Sequence, residues 1–261
     1  MRFSIIVVSL NAGQALIDTV NSILMQSYKD YEILIKDGES KDGSLDNLPA
    51  DSRIRVVSKK DKSIYDGMNQ AVGLAKGEYY IFLNCGDYFY DETVLAKTAK
   101  EIIASGADIL YGNLVRQGTE GVIPFPKKIT DFTCYRNVPC HQVCFYSREC
   151  FSDRGYDLQF PVRADYEHFL YCKYDRKMSF RYMDFVVALY EGDGFSETKE
   201  NEKRAAAEHR IITKKYLKGK CILYRFIMIV TLQPVRKWLA ESRFSGIYQG
   251  VKSIIYGRKK A

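Results

Sequence analysis

The sequence predicts an α/β protein with an open, mostly parallel sheet flanked by helices. Three observations predict this class: short apolar runs, stripes of apolar residues at helical spacing between the runs, and polar residues directly after each run. Nearly continuous apolar runs are typical of strands that are buried on both faces of a parallel sheet. Because strand and helix alternate over residues 1–110, we expect a ligand beyond the carboxyl ends of the strands.

The first strand–helix–strand unit occupies residues 3–36. Residues 3–8 (Phe-Ser-Ile-Ile-Val-Val) and residues 32–36 (Glu-Ile-Leu-Ile-Lys) predict its two strands. Between them, apolar residues recur on one helical face. These are Leu16, Val20, Ile23 and Leu24.

A second cycle follows. Residues 54–57 and 79–83 predict strands. Asp91 is a candidate N-cap for a helix that ends at Gly106, and a further strand is expected over residues 107–110. A helical stripe between the first two strands is interpreted as core packing; it comprises Tyr65, Met68, Val72 and Ala75.

The alternation loosens after residue 110. A charged helical stretch is expected near residues 196–218, and the apolar run over residues 221–230 is far shorter than the roughly 20 residues that span a bilayer. The elements expected between residue 110 and this stretch are a hairpin at 118–121, a Pro-bounded loop at 124–139, a strand at 143–146, a helix at 164–174 and a strand at 179–189.

The charge of the chain is divided unevenly. The formal net charge is +7, but residues 1–198 carry 23 Lys and Arg against 28 Asp and Glu, whereas residues 199–261 carry 16 against 4. We therefore expect one main domain over residues 1–198 and a basic helical extension over residues 199–261. The extension fits an interfacial segment on an anionic membrane and equally a solvated basic cap. No nucleic-acid partner is expected, because the basic residues lack a recognisable reading module.

The cysteines and the N-terminus indicate a cytoplasmic protein. The seven cysteines are odd in number and contain no C-x-x-C pair, which fits reduced thiols better than a disulfide framework or a zinc ribbon. The Cys140-His141-x-x-Cys144 cluster has possible metal ligands but no matching second pair. Residues 1–8 lack the longer apolar region and cleavage site of a signal peptide, so export is not expected.

Polar residues follow four of the predicted strands. They are Ser9-Leu10-Asn11, residues 37–40, residues 61–66 and residues 84–87. In a parallel sheet these loops converge on one edge, where a carboxylate can accept a hydrogen bond from a nucleotide or hold a divalent cation. Neither G-x-G-x-x-G nor G-x-x-x-x-G-K-[ST] is found, which counts against a Rossmann dinucleotide site and a P-loop.

Three segments carry a resemblance to the nucleotide-sugar-binding region of family 2 glycosyltransferases: S-I-I-V-V-S-L-N, I-L-I-K-D-G-E-S-K-D-G-S and I-Y-D-G-M-N-Q-A-V-G-L-A-K-G-E-Y-Y-I-F-L-N-C-G-D. The wording I-Y-D-G-M-N and L-N-C-G-D is similar to the bacterial branch that assembles colanic-acid-like exopolysaccharide, capsule and O-antigen repeats. The resemblance covers roughly residues 3–200. It implies a GT-A fold in which residues 1–110 bind the nucleotide sugar and residues 111–198 face the acceptor.

The resemblance implies a set of donor-binding residues. Asp37 would hydrogen-bond the base, and Asp87 would hold a divalent cation, Mn²⁺ or Mg²⁺. The family's acidic D-x-D-type motif is here Asn84-Cys85-Gly86-Asp87, so only its final carboxylate is kept and one ribose or metal contact must come from elsewhere. The remaining implied donor residues are Ser9, Leu10 and Asn11 in the first loop and Lys62, Asp66 and Asn69 beside the ribose and diphosphate.

The resemblance also implies an acceptor side. Arg163-Ala164-Asp165-Tyr166-Glu167 resembles the family's catalytic-base segment, with Asp165 as the base and Ala164 in place of the usual first acid. A carboxylate there would remove the proton of the acceptor hydroxyl. His141-Gln142 resembles an element facing the sugar pocket, and residues 192–196 (Gly-Asp-Gly-Phe-Ser) resemble a mobile loop over the site.

Each of these residues has a plainer alternative role. Asp37 can initiate a turn, Asp87 can cap a helix, and Asp165 can be an acid favoured by a helix N-terminus. His141 can be a hydrogen-bonded core histidine. Asn11 and Asn69 can simply fix loops.

The expected function is that of an inverting glycosyltransferase. The enzyme would move one sugar from a UDP- or GDP-sugar to a saccharide acceptor, lipid-linked, at the cytoplasmic face of the membrane. Two alternatives stay open: a sugar-phosphate nucleotidyltransferase, although its Gly-rich opening with a basic residue is not seen, and a non-catalytic scaffold of a polysaccharide assembly complex.

Overall fold

A computed structural model describes residues 1–119, 121–192 and 198–230. The chain divides into two compact units, and the boundary lies between Ile212 and Thr213.

The described residues form nine strands in one sheet. The strands lie in the order β3-β2-β1-β4-β8-β6-β9-β5, and β7 pairs with β6. Their bounds are β1 Phe3–Ser9, β2 Tyr31–Asp37, β3 Ile54–Ser58, β4 Tyr79–Asn84, β5 Tyr88–Phe89, β6 Ile109–Arg116, β7 Val122–Ile123, β8 Cys144–Ser147 and β9 Phe180–Tyr190.

Seven α-helices and two 3₁₀ turns are described. The 3₁₀ turns comprise His141–Val143, directly before β8, and Arg148–Phe151. The helices are α1 Gly13–Leu24, α2 Ile64–Val72, α3 Val94–Ser105, α4 Asp131–Arg136, α5 Ala164–Tyr174, α6 Lys199–Leu217 and α7 Lys220–Val230.

The first half of the sheet has the predicted form. Strands β3, β2, β1 and β4 are all parallel. The apolar residues of β2 and β4 and most of those of β1 are buried, as expected for strands covered on both faces. Helix α1 buries Leu16, Val20 and Ile23 of the predicted stripe. The predicted α/β class is therefore confirmed.

The second half of the sheet is mixed. Strand β8 lies between β4 and β6 and is antiparallel to both. Strand β9 is parallel to β6, and β5 is antiparallel to β9. The antiparallel insertion of β8 carries the His141–Val143 turn to the edge of the sheet where β1, β2 and β4 end.

Helix α6 extends the first unit beyond the predicted domain boundary at residue 198. Glu208 accepts hydrogen bonds from the backbone N–H groups of Val162 and Arg163, at 3.1 and 2.8 Å. It thereby fixes the segment that leads into α5. The end of the main domain at residue 198 stays a prediction. Of the loop predicted over residues 192–196, residues 193–196 lie outside the described residues.

None of the described helices combines the length and apolarity that crossing a bilayer requires. Helix α7 exposes four apolar side chains at a spacing that places them on one face of the helix. They are Ile222, Leu223, Phe226 and Ile229.

A buried histidine lies in the aromatic core behind α5. The His168 ring is fully buried and stacks on Phe151 with 4.3 Å between the ring centroids. Burial, together with the charge of nearby Arg154, lowers the pKa of His168 to about 3. The folded protein therefore keeps this ring neutral at pH values where an unfolded chain protonates it.

We expect the free energy of unfolding to fall as the pH drops below about 6.5, because only the unfolded state then takes up a proton at His168. At pH 5 the loss from this residue is about 2 kcal/mol. Replacing His168→Phe keeps an aromatic ring and removes the titration. Urea unfolding at pH 7.5 and pH 5 measures the effect, and an unchanged difference between the two pH values in the variant would contradict this assignment.

Candidate active site

Three parallel strands bring their polar ends to one edge of the sheet. The strand register places Ser9 opposite Asp37 and Val8 opposite Asn84. A cavity of about 400 Å³ opens beside Asn84. The polar residues that line it and matter for chemistry are Tyr65, Asn84, His141, Gln142, Arg163 and Asp165.

Asp165 has a hydrogen-bond partner on each carboxylate oxygen. It is the second residue of α5, and its side chain is 22% exposed. The Tyr65 hydroxyl donates to Oδ1 at 2.9 Å, and His141 Nδ1 lies 3.2 Å from Oδ2. The other ring nitrogen of His141 lies 3.3 Å from Asn84 Nδ2. If the Asn84 amide donates there, Nδ1 carries the proton and donates to Asp165.

These partners keep Asp165 ionised. Burial raises the pKa of Asp165, but the interactions with His141 and the hydrogen bond from Tyr65 outweigh it, and the pKa lies below its ordinary value. Burial and the charge of Asp165 raise the pKa of Tyr65, so its hydroxyl stays protonated. The result is an oriented carboxylate, open to the cavity, that can accept a proton.

Asp87 lies behind the cavity wall. Its residue is 2% exposed, and burial raises its pKa. The backbone N–H of Glu191 donates to Oδ1 at 3.1 Å, and Gln142 Nε2 donates to Oδ2 at 3.3 Å. Since Gln142 follows His141 in the chain, one turn contacts both Asp87 and Asp165. The structure thus places the two predicted carboxylates in one neighbourhood.

Asp37 is engaged within the protein. It is fully buried at the end of β2. Its carboxylate accepts hydrogen bonds from the backbone N–H groups of Glu39 and Ser40 and from the hydroxyls of Ser40 and Ser58. Burial raises the pKa of Asp37, but the hydrogen bonds from Ser40, Ser58 and Glu39 outweigh it and lower the pKa. Asp37 fixes this loop, and its contact with a base stays a prediction.

The first predicted loop is tied to the one after β2. Asn11 adopts a positive φ of 49°, and its Oδ1 accepts a hydrogen bond from the Lys41 N–H at 2.9 Å. Its own N–H donates to Ser40 Oγ at 2.8 Å. Ser9 is buried, whereas the side chain of Leu10 is exposed. Of the three, Leu10 and Asn11 are therefore the exposed residues at this edge.

Asp66 and Asn69 hold backbone segments. Asp66 Oδ2 accepts from the Lys62 N–H at 2.8 Å, and its own N–H bonds to Ser63 Oγ, the N-cap of α2. Asn69 donates to the carbonyl of Tyr156 at 2.9 Å and accepts from its N–H at 2.7 Å. The loop-fixing alternative given for Asn69 therefore describes what its side chain does in this structure. Asp66 also holds backbone groups, and the contacts of both residues with a donor stay predictions.

Two residues of the site were not predicted as such. Tyr65 belongs to the stripe interpreted as core, and its ring is indeed buried, but its hydroxyl reaches Asp165. Asn84 was noted only as part of the altered acidic motif, yet it lines the cavity beside His141. A polar tip on an otherwise apolar helical face was the available signal for Tyr65.

The sheet order and the cavity at its edge define a GT-A glycosyltransferase fold. The chain is similar to S. aureus TarS, with a TM-score of 0.65 and 16% identity, over 94% of this chain and 45% of that one. It is also similar to the mannosyltransferase PcManGT from Pyrobaculum calidifontis, solved in complex with GDP-Man and Mn²⁺, with a TM-score of 0.62 and 13% identity, over 99% of this chain and 81% of that one.

The chain belongs to glycosyl transferase family 2, whose family model matches residues 4–157. A relative of similar length is the "PGL/p-HBAD biosynthesis glycosyltransferase" of Mycobacterium bovis. It is 32% identical over 244 residues, which are 90% of each chain. The predicted family and fold are confirmed.

The Tyr65→Phe variant tests the control of Asp165. Loss of a hydrogen bond to a charged group is worth about 1.5–3 kcal/mol, so the pKa of Asp165 should rise by about one unit or more. Because Asp165 is predicted to be the base and a base acts when ionised, the acid limb of the kcat/KM profile should move to higher pH by that amount. Tyr156→Phe is the matched control, since its hydroxyl is buried without a hydrogen-bond partner and its ring lies 5.3 Å from that of Tyr65. Superimposable profiles for Tyr65→Phe and wild type would rule out this coupling.

Proposed function

We propose that the protein is an inverting glycosyltransferase that moves one sugar from a nucleoside-diphosphate sugar to a saccharide acceptor. The observation that carries this proposal is the Asp165 carboxylate at the cavity, oriented by Tyr65 and His141. In the same proposal the acceptor is lipid-linked and the product is part of a cell-surface polysaccharide.

The chemistry is a single displacement. Asp165 takes the proton of the acceptor hydroxyl as its oxygen forms a bond to the anomeric carbon. The bond between that carbon and the diphosphate oxygen breaks, and the nucleoside diphosphate leaves from the opposite face with the electron pair. Attack from one face with departure from the other inverts the anomeric centre. The proton remains on Asp165 until it passes to water.

The donor is a UDP- or GDP-sugar in this proposal. Two fold neighbours support this donor class: TarS was solved with UDP-GlcNAc and PcManGT with GDP-Man. The sequence assignments of Ser9, Leu10, Asn11 and Asp37 to nucleotide binding are kept as proposals. Lys62, Asp66 and Asn69 beside the diphosphate are kept likewise.

A divalent cation is part of the proposal. When bound, Mn²⁺ or Mg²⁺ would neutralise charge that develops on the leaving diphosphate. No group of three or more acidic, His or Cys side chains that could hold a metal occurs among the described residues. Such ions are commonly held by one or two carboxylates together with substrate phosphates, so a complete protein cage is not required. Asp87 is the proposed residue, and the buried amide oxygens of Asn84 and Gln142, which lack hydrogen-bond partners, fit this use.

The basic extension, residues 199–261, is proposed to contact the anionic inner face of the cell membrane. Residues 199–261 carry 16 basic against 4 acidic residues. The exposed apolar face of α7 supplies groups that can enter the interface between headgroups and acyl chains. A lipid-linked acceptor would give this contact a purpose.

The Asp165→Asn variant tests the base. Loss of a general base is expected to lower kcat by about 10²- to 10⁴-fold while the KM for the donor stays unchanged, because the group acts on the acceptor. Radiolabelled transfer from a panel of UDP- and GDP-sugars, with Mn²⁺ or Mg²⁺, measures it. Asp175→Asn, directly after the same helix, is the control and should keep normal kcat. Normal transfer by Asp165→Asn would overturn the mechanism, and release of pyrophosphate from NTP and sugar phosphate would instead show a nucleotidyltransferase.

The double variant Ile222→Ser, Phe226→Ser tests the membrane contact. Burial of one large apolar side chain is worth about 1.5–3 kcal/mol, so the loss of two should weaken binding to vesicles with anionic lipid by more than about 100-fold. Co-sedimentation with anionic and with neutral vesicles, at low and high salt, measures the effect. Equal sedimentation of variant and wild type would contradict the proposal.

A further inference from the structure

Gly86 lies directly before Asp87 in the altered acidic motif, where Asp87 is the only carboxylate. Its φ is +95°, a backbone conformation that residues other than glycine rarely adopt. Its N–H donates to Thr19 Oγ1 at 2.9 Å, and its carbonyl accepts from Gln117 Nε2 at 2.8 Å. The N–H and the carbonyl of Gly86 are thus both held in place, and the position of its Cα atom is fixed.

The carboxylate of Glu191 lies beside that Cα atom. Glu191 Oε2 is 1.9 Å from the position that the Cβ atom of a side chain at residue 86 would occupy. A side chain at residue 86 and the Glu191 carboxylate therefore exclude each other in this arrangement. The backbone of Glu191 is held by the hydrogen bond from its N–H to Asp87 Oδ1. Asp87 thus positions Glu191, whose carboxylate occupies the space that a side chain at Gly86 would fill.

The same neighbourhood contains oxygen atoms without partners. Gln142 is 4% exposed and lines the cavity, and its Oε1 has no hydrogen-bond partner, although its Nε2 binds Asp87. Oδ1 of Asn84 is also buried and without a partner. Among the described residues, the Glu191 carboxylate has neither a cation nor a hydrogen-bond donor. Carboxylate and amide oxygens are the ligands that Mg²⁺ and Mn²⁺ prefer.

We infer that Glu191 supplies a second carboxylate that the altered motif itself lacks, and that it faces the divalent cation of the donor diphosphate. This inference rests on the proposed function. It adds to Asp87 an exposed acid that directly follows β9, and the buried Asp87 carboxylate also holds the backbone of that acid. The two acids of the site therefore come from chain segments about 100 residues apart.

Mn²⁺ binding tests the inference without measuring transfer. Mn²⁺ is titrated into the full chain at saturating UDP, and separately GDP, and the free ion is followed by electron paramagnetic resonance. The variant Glu191→Gln keeps the shape of the side chain and removes its charge. We expect its apparent Kd for Mn²⁺ to rise by at least about tenfold, while the Kd for nucleotide without metal stays unchanged.

Asp18→Asn is the matched control. Asp18 and Glu191 both act on the same neighbour, Tyr88, whose pKa is raised by burial first and then by these charges. The Asp18 carboxylate, however, accepts a hydrogen bond from Gln14 and not from the motif. If Glu191 acts through direct contact with the ion and not merely as a nearby charge, the apparent Kd of the Asp18→Asn variant for Mn²⁺ should stay within about twofold of the wild-type value.

The outcomes separate the inference from the function on which it rests. If wild type binds Mn²⁺ with nucleotide and Glu191→Gln binds it equally, the inference is wrong while the proposed function stands. An equal loss in Asp18→Asn and Glu191→Gln would also overturn it, because the effect would then be general electrostatics. Failure of wild type to bind Mn²⁺ with either nucleotide would overturn both the cation in the proposed function and this inference.

Discussion

The site depends on hydrogen bonds from two consecutive side chains. His141 contacts Asp165, and Gln142 contacts Asp87, so a single 3₁₀ turn fixes the spacing between the two predicted carboxylates. The turn is placed by β8, whose antiparallel pairing with β4 brings it beside Asn84. A shift of β8 by one residue would move its side chains to the opposite face and break both contacts. The register of β8 in the sheet therefore determines whether His141 and Gln142 can contact the two carboxylates.

The environments of the two carboxylates differ in a way that suits different roles. Asp165 is partly open, and its neighbours lower its pKa below the ordinary value, so it is an ionised base. Asp87 is almost completely buried, and its pKa is raised. A buried group with both oxygens engaged is suited to holding neighbours in place. The two environments differ because Asp165 lines the cavity, whereas Asp87 is not among its lining residues.

The sequence was sufficient for the half of the fold that local pattern dictates. Apolar runs and helical stripes predicted β1, α1, β2 and β4, because strands buried on both faces consist almost entirely of apolar residues. The helix over residues 164–174 was likewise predicted with its observed bounds. The insertion of β8 between β4 and β6 was not predicted, since antiparallel pairing between distant segments leaves no periodic signal. The family resemblance identified residue types at the site, but it did not distinguish side chains that face a ligand from those that hold loops.

That distinction is set by contacts between residues far apart in sequence. Asp37 and Asn69 carry suitable groups for a donor, yet nearby backbone and hydroxyl groups saturate them. Tyr65 reaches Asp165 across 100 positions. The same reasoning applies to the altered acidic motif, in which Asp87 is the only carboxylate. Because Gly86 has no side chain, the carboxylate of Glu191, from a distant part of the sequence, can occupy the space beside it. The fold can therefore supply an acidic group that the motif itself does not contain.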